Sequence, residues 1–152
     1  MANISRILVP VDFSECSSRA LRQAAELARK FNAAVEVLYV WEPPLYVFPE
    51  LLVEAPGGPP RTVSDYANER AQLEMKRFVE DALGADPLAV RTVVESGHAY
   101  ATILRWASEG SFDLLVMGTH GRSGLQHVLL GSIAEKVVRH APCPVMTVRC
   151  PQ

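Results

Sequence analysis

No hydrophobic run in the chain approaches the roughly eighteen residues that a membrane-spanning helix needs. Residues 1–6 run directly into a strand-like segment without the apolar region of a signal peptide, so a cytoplasmic protein with no membrane partner is expected. Cysteine is scarce. Cys16, Cys143 and Cys150 are an odd set whose spacing fits neither a zinc site nor a Cys-x-x-Cys redox pair. Free thiols in a reducing compartment are expected, with Cys16, near a helix start, the candidate for any regulatory thiol. Basic charge is not in excess: the net charge of −2 argues against a dedicated nucleic-acid binder, which would need a basic face. No Gly-x-Gly-x-x-Gly follows the first strand and no Gly-Lys-Ser/Thr occurs anywhere, which excludes a dinucleotide Rossmann enzyme and a P-loop NTPase. A phospho-receiver domain would want an acidic cluster, and no carboxylate adjoins Asp12 before Glu15.

What is present is an ordinary globular composition, 49% hydrophobic and 21% charged, over 152 residues. That is one domain, residues 1–152, able to bury its own core without disulfides. Strand-like apolar runs occur at 6–12, 35–41, 88–95, 112–118 and 145–148. Pro10 costs the first run a ladder hydrogen bond, so regular pairing should weaken there. Helical patterns lie between the runs. The first follows Ser14 as N-cap and carries Ala20, Leu21, Ala24, Ala25, Leu27, Ala28 and Phe31 on its apolar face. The second covers 64–83, with Tyr66, Leu73, Phe78, Val79 and Leu83 available for burial; the third covers 99–109. The last covers 132–140, with Ile133, Val137 and Val138 inward. A proline-rich insertion at 43–60 interrupts the order, and its Leu45, Tyr46, Val47, Phe48, Leu51 and Leu52 suggest a small helical turn packed on the body. Alternation of this kind predicts a doubly wound α/β domain, a mostly parallel sheet with helices on both faces.

Gly118-Thr119-His120-Gly121 starts at the end of the fourth run, and Gly131-Ser132 follows after nine intervening residues. The glycines let the backbone turn and approach a ligand where a Cβ would collide. Gly131-Ser132 stands where the next helix begins, with N–H groups facing outward. Together they form a receptacle for phosphate, and a bound nucleotide is expected. Asp12, Val40 and Gly118 all fall at strand carboxyl ends, where ligands of such sheets sit. Simpler roles stand beside these: Asp12 bonding the start of the first helix, His120 serving packing or backbone, His98 capping or exposed, and Lys136 and Arg139 on a solvated face.

The pattern Gly118-x-x-Gly121-x9-Gly131-Ser132 resembles the nucleotide signature of the universal stress protein family. The resemblance extends to Ile7-Leu8-Val9-Pro10-Val11-Asp12-Phe13-Ser14, to Asp113-Leu114-Leu115-Val116-Met117, and to Ala141-Pro142-Cys143-Pro144-Val145. It implies a five-stranded parallel sheet in the order 3-2-1-4-5, ATP as ligand, a role in stress response, and a homodimer through the last strand, Val145–Val148. Asp12 would approach the ribose or, through a bridging Mg²⁺, a phosphate. The Val40 backbone would meet adenine beside Pro10. Gly118, Thr119, His120, Gly121, Arg122 and Ser123 would wrap the ribose and phosphates. Gly131, Ser132 and Ile133 would present N–H groups and a hydroxyl to the phosphate tail, and the Arg122 fork suits phosphate oxygens. No water-activating carboxylate stands beside the loop, so no catalytic residue is assigned. An ATP-binding module leads; a slow ATPase and a dimeric scaffold with a vestigial site are the alternatives.

Overall fold

The computed structural model describes residues 3–54, 56–85, 88–121 and 130–150. The first apolar run forms β1 (Arg6–Val11), and Ser14 caps α1 (Glu15–Phe31) by accepting the Ser17 N–H at 3.2 Å. The chain continues through β2 (Ala34–Trp41), β3 (Leu52–Val53), β4 (Arg61–Thr62), α2 (Val63–Leu83), β5 (Val90–Ser96), α3 (Ala99–Glu109), β6 (Leu114–Gly118), α4 (Ser132–His140) and β7 (Val145–Val148). The main sheet is parallel in the order β5-β2-β1-β6-β7, the expected 3-2-1-4-5 once the small β3–β4 hairpin is set aside. No described helix is long and apolar enough to cross a membrane.

Period-two alternation feeds a core on each face. Ile7, Val9, Val35, Val37 and Val116 pack with Ala20, Leu21 and Ala24 of α1 and Met75 of α2. Leu8, Leu38, Leu115 and Met117 pack with Ile103 and Ala107 of α3 and Ala134 and Val137 of α4. Pro10 acts as expected, and on one side only. β1 pairs with β2 through Val11, but its ladder with β6 holds only Ile7 and Leu8. Beyond Leu8, β6 goes on pairing with β7 as far as Gly118. The strands on either side of the order reversal therefore part toward their carboxyl ends.

Four expectations of burial fail, the first at the end of α1, where Phe31 is exposed. The segment after Pro43 makes tight turns, Val47 N–H to Pro44 O and Leu51 N–H to Phe48 O, and then the β3–β4 hairpin. It is not a helical turn packed on the body, and Leu45, Tyr46, Phe48, Leu51 and Leu52 are exposed. Pro43, Pro44 and Pro49 lack N–H groups and restrict their predecessors, so no helix can propagate. On α2 the inward stripe is Ala71, Met75 and Ala82, with Phe78, Val79 and Leu83 partly buried; Tyr66 and Leu73 fall outside it and are exposed. On α4 the stripe is Ala134 and Val137, which leaves Ile133 and Val138 exposed.

Candidate functional site

Where β1 and β6 separate, a cleft of about 670 Å³ opens, within the size range of small-molecule sites. Pro10 lines it from β1, Asp12 from just beyond that strand, and Val40 from the end of β2. Gly118 lines it from the end of β6, Thr119, His120 and Gly121 just after it, and Gly131, Ser132 and Ile133 at the start of α4. Arg122 and Ser123 lie outside the described residues. Every other residue that the sequence assigns to the nucleotide site lines this one cavity.

A Cβ on Gly118 or Gly121 would force a neighbour to shift. A Cβ on Gly118 would lie 2.7 Å from the Cys16 sulfur, and one on Gly121 would lie 2.5 Å from Asp12 Oδ2. The loop is thus pressed onto the first turn of α1 and onto the Asp12 carboxylate. Asp12 also fills its simpler role, since its Oδ1 accepts the Ser14 N–H at 3.0 Å beside the helix start. Phe13 holds this corner in a left-handed conformation, φ 63°, which a non-glycine residue adopts only at an energetic cost. Its ring packs tilted on Tyr39, centroids 4.3 Å apart, and edge-on to Phe78 at 5.5 Å, contacts that offset the strain.

Gly131 is the N-cap of α4 and, being glycine, brings no capping side chain of its own. Its own N–H donates to Thr119 O at 2.6 Å, and the Thr119 N–H donates to Val148 O at 3.0 Å. Two backbone bonds therefore tie β7, the glycine loop and the α4 N-terminus together. His120 Nδ1 lies 3.0 Å from Thr119 Oγ1, a local contact in keeping with a packing role. His98 is at the N-cap of α3 but makes no side-chain cap bond; the Glu42 carboxylate accepts the Ala99 N–H in its place. Lys136 and Arg139 are exposed, and Arg139 pairs with Glu135.

Sequence reasoning missed several lining residues. Ser17 reaches the cleft floor and its Oγ accepts the Asp12 N–H at 3.4 Å, while Glu42, Ala99, Ile103 and Leu130 complete the walls. The i,i+4 pair Ala99 and Ile103 was the available signal for α3. The expectation of free thiols is corrected for two of the three cysteines. Cys16 and Cys150, 134 residues apart, form a disulfide with a Cα–Cα distance of 5.1 Å, and Cys143 remains free. Local spacing could not reveal the bond, because it depends on β7 ending above the first turn of α1.

The model of the universal stress protein family matches residues 3–149. The chain belongs to the universal stress protein family. Universal stress protein MJ0531 of Methanocaldococcus jannaschii is 33% identical over 147 residues, which are 97% of this chain and 83% of that protein. The structure of the universal stress protein UspA from Lactobacillus plantarum superposes with a TM-score of 0.74 at 25% identity, covering 98% of this chain and all of that one. A universal stress protein in complex with cAMP superposes with a TM-score of 0.70 at 22% identity, covering 97% and 98% of the two chains, a likeness of fold.

Proposed function

We propose that this universal stress protein binds ATP in the β1–β6 cleft and acts as a cytoplasmic stress-response module whose bound nucleotide sets its conformation or a partner surface. The observation that carries this reading is the convergence of Asp12, residues 118–121 and the glycine-started α4 N-terminus on one cavity. Adenine fits the apolar side beside Pro10 and Val40. The phosphates fit the Gly131-Ser132-Ile133 turn, where N–H groups and the helix dipole favour anions.

Electrostatics define the form of the ligand. The charged lining residues described are Asp12, Glu42 and Glu135, all acidic. A polyphosphate entering beside them needs a cation. No cluster of three His, Cys, Asp or Glu side chains that could hold a metal ion occurs among the described residues. Asp12 offers one hard oxygen ligand, which suits Mg²⁺ arriving on the phosphates. Arg122 supplies further positive charge in this reading. The sheet edge at β7 suits pairing with a second copy across a two-fold axis, giving a homodimer.

A thermal melt with and without ATP and Mg²⁺ tests the reading. At a ligand concentration about a hundredfold above Kd, stabilisation of about 2.7 kcal/mol is expected. Gly131→Glu, which sets a carboxylate against the phosphates, should abolish it. No shift at millimolar ATP would sink the proposal. A shift with cAMP alone would redirect it to a cyclic nucleotide.

A further inference from the structure

We propose that the Cys16–Cys150 disulfide is a redox-exchangeable clasp that sets the order of the glycine loop. Through that loop, and resting on the nucleotide reading above, it regulates affinity for ATP. The bond lies under the site: the Cys16 sulfur blocks the space a Cβ on Gly118 would need, and Cys150 Sγ is 3.9 Å from Thr119 Oγ1. Cys150 also anchors the strand end two residues beyond Val148, whose carbonyl accepts the Thr119 N–H. Thr119 in turn accepts the Gly131 N–H, the N-cap of the helix that faces the phosphates. A covalent link at one end of this chain of bonds is thus connected to the anion-binding end.

Exchange is chemically accessible from one side. Cys16 is only 5% exposed, whereas Cys150 is partly exposed. A dithiol reductant attacks with its thiolate at the Cys150 sulfur, breaking the bond and expelling Cys16 as a thiolate. Cys16 lies in the first turn of α1, where the helix dipole stabilises that leaving group. The second thiol of the reductant then displaces Cys150 and closes the reductant's own disulfide. Two electrons and two protons pass from the dithiol, and both protein sulfurs end as thiols. The sulfurs must then move apart from bonding distance, and Gly118 leaves Cys16 no space to do so inward. The new Cys16 S–H, 3.6 Å from the Val148 carbonyl, also competes for the acceptor that holds Thr119.

The test compares oxidised protein with protein reduced by dithiothreitol. Alkylation in denaturant without reductant should label Cys143 alone, and all three cysteines after reduction. In ATP-free protein, amide hydrogen exchange at residues 118–121 and at Gly131 should rise by about tenfold or more on reduction. The Kd for ATP should rise by about tenfold, with loop order lost from the site. Cys150→Ser should match the reduced protein with or without dithiol, while Cys143→Ser should respond as the wild type does. Three labelled cysteines before reduction, or equal exchange rates in both forms, would overturn the clasp. Absence of ATP binding in both forms would defeat the nucleotide reading, and the exchange rates would still decide the clasp.

Discussion

Two segments leave the carboxyl side of the sheet, one rich in glycine after β6 and one rich in proline and glycine after β2, and they pack in opposite ways. The described residues of the first, 118–121 and 131, are packed inward. Gly118 abuts Cys16, Gly121 abuts Asp12, and a Cβ on Gly131 would come within 3.1 Å of the Thr119 carbonyl oxygen. The second stands outward: Leu45 is 98% exposed, Tyr46 87% and Phe48 74%, and a Cβ on Gly57 or Gly58 would meet nothing within 4 Å. Glycine serves close approach in one segment and open turns in the other. The same residue type carries different energetic weight, and the neighbours decide which.

The sharpest way to break that contrast is to add side chains to both. Gly118→Val forces a branched side chain into Cys16 and should cost about 1–3 kcal/mol by overpacking. Gly58→Ala should stay within about 0.5 kcal/mol. Thermal denaturation of the two variants reads the difference directly, and equal losses would show that the inward packing is not what the loop depends on.

Next in size are effects on the ligand. Gly121→Ala displaces the Asp12 carboxylate and should weaken ATP binding about tenfold, or about 1.4 kcal/mol, in a calorimetric titration. Removing Mg²⁺ with EDTA should weaken it by a similar order, because the phosphates would then face Asp12, Glu42 and Glu135 without a bridging cation. Unchanged affinity in EDTA would place the phosphates elsewhere.

Smaller still is the paired change Tyr46→Ser and Phe48→Ser, expected to leave both melting temperature and ATP affinity within error, since neither ring packs on the body. A large loss in either quantity would mean that the outward segment acts on the site after all. The smallest effect concerns Cys143. Burial, and then the Asp113 carboxylate, raise its thiol above the ordinary range. Its alkylation in folded protein should lag behind an exposed thiol near pH 8.5 and catch up only at higher pH.

Much of this was legible in the residues. The α3, α4 and β7 boundaries, the Ser14 cap and the strand order all follow from periodicity, turn residues and a family resemblance that the residues carry. Pro10 was legible as a lost hydrogen bond, but not as the hinge that opens the cleft, because the sequence does not say which neighbouring strand loses the partner. Tyr66, Leu73 and Val138 were misread as buried. Helical periodicity gives a face, but whether its margin is covered depends on where the sheet ends.

The chain's own order of residues determined which elements form and where the glycines and the helix start fall, since both depend on local backbone geometry. Only the tertiary structure decided the rest. It put Asp12 against Gly121, turned Phe13 into a strained corner held by Tyr39 and Phe78, and joined Cys16 to Cys150 across 134 positions. Those contacts arise from parallel strands that bring distant segments to one end of a sheet, a proximity that no local pattern encodes.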